Sequence, residues 1–194
     1  HTHLVPEELE QLERLSLTGK HMKLQKSLDA FLFCCYAGMR YSDFTNLSKK
    51  NIVDINQETW LIYKSVKTGT EVRLPLYLLF AGKGIVILNK YRNNLEDFFR
   101  LRDNSNINKD LIIIAKLAGL SKKISFHTAR HTNATLLIYN GVNITTVQKL
   151  LGHKSVKTTQ VYTNIMDMTI VHDLEKIKQA ALGIKKKTDN SFNK

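Results

Sequence analysis

The sequence predicts a mainly α-helical domain carrying one small antiparallel β-sheet. Three observations lead there. Apolar residues recur at helical spacing through most of the chain, whereas short strand-like stretches appear only between about residues 52 and 74. Hydrophobic residues make up 43% and charged residues 24% of the 194 positions, an ordinary balance for one globular core.

Pro6, followed by Glu7, Glu8 and Glu10, reads as a helix start, with acids near the positive end of the dipole. A second helix is expected from Met22 to Ala37, where Leu24, Leu28, Phe31, Leu32 and Cys35 keep helical spacing. Gly38 breaks it, and a short helix from Ser42 to Leu47 follows. Strands are expected at Ile52 to Asp54, Trp60 to Lys64 and Glu71 to Leu74, the last two joined by the Thr68-Gly69-Thr70 turn. After Pro75 the pattern is helical: Leu78 to Tyr91, Lys109 to Ala118, Thr128 to Tyr139, Thr145 to Leu150, Val156 to Thr163 and Asp167 to Leu182. Asn104, Ser105, Asn106 and Asn108 read as a polar connector between helices. Residues 1–182 form one domain in this reading, and residues 183–194 a basic, disordered tail.

Lys and Arg number 29 against 17 Asp and Glu, a net charge of +12. Such an excess favours a polyanionic partner, most commonly nucleic acid. No apolar run approaches the ~20 residues that cross a bilayer, and the N-terminal residues lack signal-peptide order. Adjacent Cys34 and Cys35 lie in an apolar helical run and read as buried thiols in a reducing cytoplasm.

The chemistry-bearing residues are scattered but ordered. Tyr162 is preceded by Arg40, Lys67, the run His127-Thr128-Ala129-Arg130-His131 and Leu151-Gly152-His153. On a helix His127, Arg130 and His131 share a face. Thr128 stands where a zinc protease needs its glutamate, and no acidic cluster offers further ligands, so neither metal nor cofactor is expected. Ser155 is a candidate N-cap for the helix carrying Tyr162. Asp43, three residues after Arg40, is placed to fix the guanidinium for a phosphate. Taken alone, Tyr162 reads as a packed amphipathic tyrosine and Lys67 as a solvated hairpin lysine, with Lys64 a competitor for any role given to it.

Together these residues resemble the tyrosine recombinases, the phage-type integrases and their relatives. That family carries an arginine in a Gly-x-Arg-x-x-Glu-like stretch, a hairpin lysine, His-x-x-Arg, Leu-Gly-His and then a tyrosine. Here the matches are Gly38-Met39-Arg40 with Asp43 in the acidic place, Lys67, His127 with Arg130, Leu151-Gly152-His153, and Tyr162. Asp43 for the usual glutamate is a mild departure. The likeness covers roughly Pro6 to Leu182, and its motif style is similar to integrases of bacterial conjugative transposons or related mobile elements.

The resemblance implies the recombinase catalytic-domain fold and a metal-free transesterification on double-stranded DNA recombination sites. Tyr162 would be the nucleophile, forming a 3′-phosphotyrosine; Arg40 and Arg130 would hold the phosphate and Lys67 would protonate the departing 5′ oxygen. The division of labour between His127 and His153 stays open. Members of the family usually carry a separate DNA-binding domain before the catalytic one; this sequence starts almost at the catalytic domain, so it reads as a fragment, with an unusually reduced member as the alternative. A monomer is expected without DNA and a tetramer on synapsed sites, with an accessory DNA-bending protein as a further partner. The location implied is a bacterial cytoplasm, at the nucleoid. Two rivals stand beside this reading: a type IB topoisomerase, and a non-catalytic DNA-binding regulator of a mobile element.

Overall fold

The computed structural model describes residues 2–162, 170, 171 and 174–182. Helix α1 (Pro6–Glu13) opens with proline in its first turn, and Glu8 folds back to accept the Val5 amide at 2.9 Å. The chain before it is tied to the core, since the Leu4 amide donates to Thr132 Oγ1 at 3.0 Å. The expected helix from Met22 divides in two. A 3-10 stretch, Gly19–Leu24, leads into α2 (Gln25–Ala37).

Every residue of α2 from Ser27 to Ala37 is buried, so this is a core helix rather than an amphipathic surface one. Its buried acid, Asp29, is matched by Tyr91 Oη at 2.6 Å and Lys90 Nζ at 3.1 Å. Cys34 and Cys35 are buried free thiols, as read from the sequence. The short α3 (Tyr41–Thr45) is anchored by Phe44, whose ring meets Phe98 edge-on at 5.3 Å.

Strands β1 (Ile52–Ile55), β2 (Glu58–Lys64) and β3 (Glu71–Pro75) form an antiparallel sheet in sequence order. Leu61 faces Ile52 on one side and Leu74 on the other. Asn56 and Gln57, both with positive φ, make a two-residue turn whose twist suits a hairpin.

Three expectations fail after the sheet. The helix from Leu78 is interrupted: Phe80 and Ala81 take left-handed φ values of 48° and 54°, and α4 starts only at Lys83 (Lys83–Lys90). Reversing the chain there brings Phe80 onto Tyr36 at 5.6 Å, a tertiary contact that overrides local helix preference. An unforeseen short helix, α5 (Leu95–Phe99), buries Phe98 and Phe99, with Asn94 as its cap. The supposed connector at Asn104–Asn108 is the first turn of α6 (Asn104–Leu117). Asp103 caps it by accepting the Asn106 amide at 3.1 Å, and Ile107 is already in the core. Its asparagines are terminal polar residues satisfied by capping, not a break.

Helices α7 (Phe126–Tyr139) and α8 (Ile144–Leu151) follow. In α7 every residue from Thr128 to Ile138 is buried, and it packs along α2. Two core helices therefore lie side by side, one ending just before Arg40 and the other containing Arg130. Residues 170, 171 and 174–182 are helical and exposed, so the apolar residues Ile170, Val171, Leu174 and Ile177 have no packed partner among the described residues. The remainder of the expected last helix and the 183–194 tail lie outside the described residues.

Candidate active site

Arg40 follows a helix stop that only glycine tolerates. Gly38 ends α2 at φ 68°, and a Cβ there would sit 2.6 Å from Asn133 Oδ1 and 2.8 Å from Leu151 Cδ2. Met39 is buried, and Arg40 enters α3 with extended backbone. Its Nη1 lies 3.6 Å from Asp43 Oδ2 and 3.4 Å from Ser65 Oγ. Asp43 is fully enclosed, and its other oxygen accepts the Val66 amide at 2.8 Å. One carboxylate thus steadies the guanidinium and the root of the hairpin bearing Lys67.

Lys67 is exposed on the β2–β3 connection, where Gly69 adopts φ 69°. Thr68 Oγ1 donates to the Gly152 carbonyl at 3.2 Å, docking this connection on the turn before His153. Burial first, then the Arg130 and Arg40 guanidiniums and only last Lys67, lower the pKa of both His127 and His153. Lys64 lies instead along Gly69 at the strand end.

Arg130 is the centre of the arrangement. The residue is 2% exposed; Nη1 donates to the Gly38 carbonyl and Nη2 to the Leu151 carbonyl, each at 2.7 Å. These are the ends of the helices preceding Arg40 and His153, so one planar fork fastens three separate motifs. A guanidinium has five N–H donors, which leaves others for a ligand. Burial, then Arg40, pull its pKa down to about 10, still protonated near neutral pH.

His127, one turn earlier, lies at the exposed edge of α7; burial, then Arg130, Arg40 and Lys67, hold it below the ordinary range. His131 is buried, its ring edge-on to His127 at 4.5 Å.

Gly152 ends α8 at φ 65°, and a Cβ there would meet Val72 Cγ2 at 2.6 Å. This is the physical reason for glycine in Leu-Gly-His: the turn presses against β3. His153 Nδ1 then pairs with Thr159 Oγ1 at 3.0 Å. Burial first, and the nearby guanidiniums next, push this imidazole down to about 4.

Ser155 caps the following segment as expected, accepting the Lys157 amide at 3.2 Å. The α-helix expected from Val156 to Thr163 is not formed. Two 3-10 turns, Val156–Thr158 and Gln160–Tyr162, replace it, and Thr163 lies outside the described residues. In a 3-10 turn, side chains at i and i+3 eclipse. Thr159 and Tyr162 therefore face the same way, inward, one to His153 and the other to α7. Tyr162 is 6% exposed, and its hydroxyl lies 2.7 Å from His131 Nδ1. Burial raises its pKa, opposed by the charges of Arg130 and Arg40.

The structure thus gathers Arg40, Asp43, His127, Arg130, His153 and Tyr162, and docks the connection carrying Lys67 beside His153. Sequence reasoning missed the residues that brace them. Asn133 donates to the carbonyls of Cys35 and Tyr36, each at 3.0 Å, and Thr159 and Ser65 engage His153 and Arg40. The one available signal was periodicity, since Asn133 falls three residues after Arg130 on the buried side of α7. Helical spacing places His131 on the His127 face but does not reveal its contact with Tyr162.

Residues 3–168 match the phage integrase family model. The chain belongs to the phage integrase family. Among the relatives of this family member is a tyrosine recombinase of Pseudothermotoga lettingae, 30% identical over 181 residues, covering 91% of this chain and 60% of that protein. Tyrosine recombinase XerC of Rickettsia prowazekii is 29% identical over 192 residues, covering 94% and 60%. The chain therefore spans about 60% of the length of these curated relatives. The crystal structure of XerA recombinase superimposes with a TM-score of 0.67 at 26% identity, covering 91% of this chain and 65% of that one. A lambda integrase tetramer bound to a Holliday junction matches with a TM-score of 0.66 at 20% identity, covering 83% and 47%. The mainly helical architecture with its small antiparallel sheet is the catalytic-domain fold of these recombinases.

Proposed function

We propose that this integrase-family chain is the strand-cleaving and rejoining part of a site-specific DNA recombinase, acting through a 3′-phosphotyrosine. The observation that carries the reading is the Arg130 fork, whose bonds to the Gly38 and Leu151 carbonyls gather both arginines, His153 and the tyrosine segment around one point. Two guanidiniums there offer paired donors to non-bridging phosphate oxygens, where negative charge grows in the transition state. Lys67, on an exposed connection that Thr68 docks against the turn before His153, protonates the departing 5′ oxygen. A phosphotyrosine retains the phosphodiester's bond energy, so a 5′ hydroxyl from another duplex reseals it without ATP.

The net charge of +12 supplies backbone affinity and strong salt dependence. Double-stranded DNA is the partner in this reading, with a monomer in its absence, a tetramer on synapsed sites, an accessory DNA-bending protein beside it, and a bacterial nucleoid location. A mobile-element integrase is the finer assignment that the motif style supports.

The test is a nicked suicide duplex carrying a candidate crossover site, scored for a covalent protein–DNA band, with Tyr162→Phe alongside. A band that vanishes in the mutant establishes the nucleophile, and one that persists there sinks the assignment. Relaxation of a plasmid lacking any partner site, without strand exchange, would point to a topoisomerase instead.

A further inference from the structure

A phenol that attacks phosphorus must lose its proton, and burial makes Tyr162 hold that proton more tightly. With a reference pKa near 10, only about one phenol in a thousand is ionised near neutral pH even without burial. Some group at the site must accept the proton as the bond forms.

We propose that His131 is that group: its Nδ1 accepts the Tyr162 hydroxyl hydrogen bond and takes the proton during attack. The inference rests on reading Tyr162 as the nucleophile. Its support is geometric. His131 Nδ1 and Tyr162 Oη are 2.7 Å apart, within the range for direct proton transfer, and both residues are buried. His131 is also the residue after Arg130 on α7, so a clamp on the phosphate and a holder of the nucleophile are set by the same helical turn. The other imidazoles are differently engaged. His153 gives its Nδ1 to Thr159 Oγ1, and His127 lies at the exposed edge of α7 with its ring against His131.

The electrostatics suit an acceptor. His127 and Arg130 face the ring from its own helix, His3 from the N-terminal segment, and His153 and Tyr162 from the last turns. Burial first, then His127, Arg130 and His3, keep the imidazole neutral, at about 4. An arriving phosphodiester places negative charge against Arg130 and relieves that suppression as the reaction proceeds. The step balances. The Tyr162 Oη–phosphorus bond forms and the phosphorus–O5′ bond breaks; the phenolic proton passes to His131 Nδ1, and the 5′ oxygen receives one from Lys67. In rejoining, both protons return.

Two measurements test this. The first needs no DNA: a long-range proton–nitrogen correlation spectrum of histidine-labelled protein near neutral pH. His131 Nδ1 is expected to be unprotonated and to shift on Tyr162→Phe; a protonated Nδ1 overturns the proposal. The second measures covalent adduct formation on a pool of nicked duplexes randomised across the core, for wild type, His131→Asn, His131→Gln and Tyr162→Phe, with folding checked by thermal melts. Asparagine can hold the hydroxyl without taking a proton. It is expected to lower the rate about 100-fold near neutral pH, with recovery of about tenfold per pH unit as the phenol ionises unaided. Wild-type rates in His131→Asn, or a loss equal at every pH, overturn the assignment. Glutamine, if asparagine unfolds the protein, is read by the same criteria. An adduct that survives Tyr162→Phe, or none from wild type, removes the nucleophile reading and the proposal with it, while the spectrum still reports the hydrogen bond.

Discussion

Replacing Gly152 with alanine tests whether the turn before His153 is set by steric contact with the sheet. Gly152 adopts φ 65°, where an L-residue costs about 1–2 kcal/mol. The new Cβ would stand 2.6 Å from Val72 Cγ2, on a strand whose side chain there is fully buried. Overpacking of that kind adds about 1–3 kcal/mol. A small offset arises because alanine restricts the unfolded chain, worth about 0.4–1 kcal/mol. The net is a loss of about 3 kcal/mol, or a fall in Tm of roughly 6–12 °C for a domain of this size. Urea unfolding of Gly152→Ala, Val72→Ala and the double mutant separates the two causes. The double mutant should be less destabilised than the sum of the singles, because trimming Val72 removes the clash but leaves the backbone strain. Adduct formation should fall more than stability does, since the Gly152 carbonyl holds Thr68 and the adjacent Leu151 carbonyl holds Arg130. A Gly152→Ala protein as stable as wild type, or strict additivity with Val72→Ala, would refute this account of the turn.

Asp43→Glu, although it restores the family's usual residue, should not be neutral here. The extra methylene enters a fully enclosed site and costs about 1–3 kcal/mol, measurable by denaturant titration; equal stability counts against it. Thr159→Val keeps shape but leaves His153 Nδ1 without its hydroxyl, a loss of about 1–3 kcal/mol. Adduct rates should fall with valine and return with Thr159→Ser, and unchanged valine rates would show that His153 is positioned by other contacts. Stability should also depend on pH. His131 and His153 are held down to about 4 when folded and return toward 6.5 when unfolded, so between these values the unfolded chain binds more protons. The urea midpoint should be highest above this window and decline as pH falls through it. A flat midpoint would mean that the imidazoles are not held neutral by burial.

Read from sequence alone, the motifs carried the chemistry and the gross architecture. Arg40 after a glycine stop, Arg130 on a helix, Gly152 before His153 and the three-stranded sheet were all legible, because each leaves a local mark: a breaker, a period or a turn residue. Local marks misled where a distant contact decided the conformation. The Phe80 reversal serves a contact with Tyr36, and the Asn104 segment is helical because Asp103 caps it. The 3-10 turns ending at Tyr162 let Thr159 and Tyr162 face the interior together.

The sequence by itself determined which groups this protein brings to a phosphodiester: two guanidiniums, an ammonium, imidazoles and a phenol, in a fixed order. Only the tertiary structure decided which of them touch. Periodicity reports that a helix face is buried but not what it is buried against. The Tyr162–His131 hydrogen bond and the Arg130 fork each join residues more than a turn or strand apart, through packing of α2, α7 and α8 that no local pattern encodes.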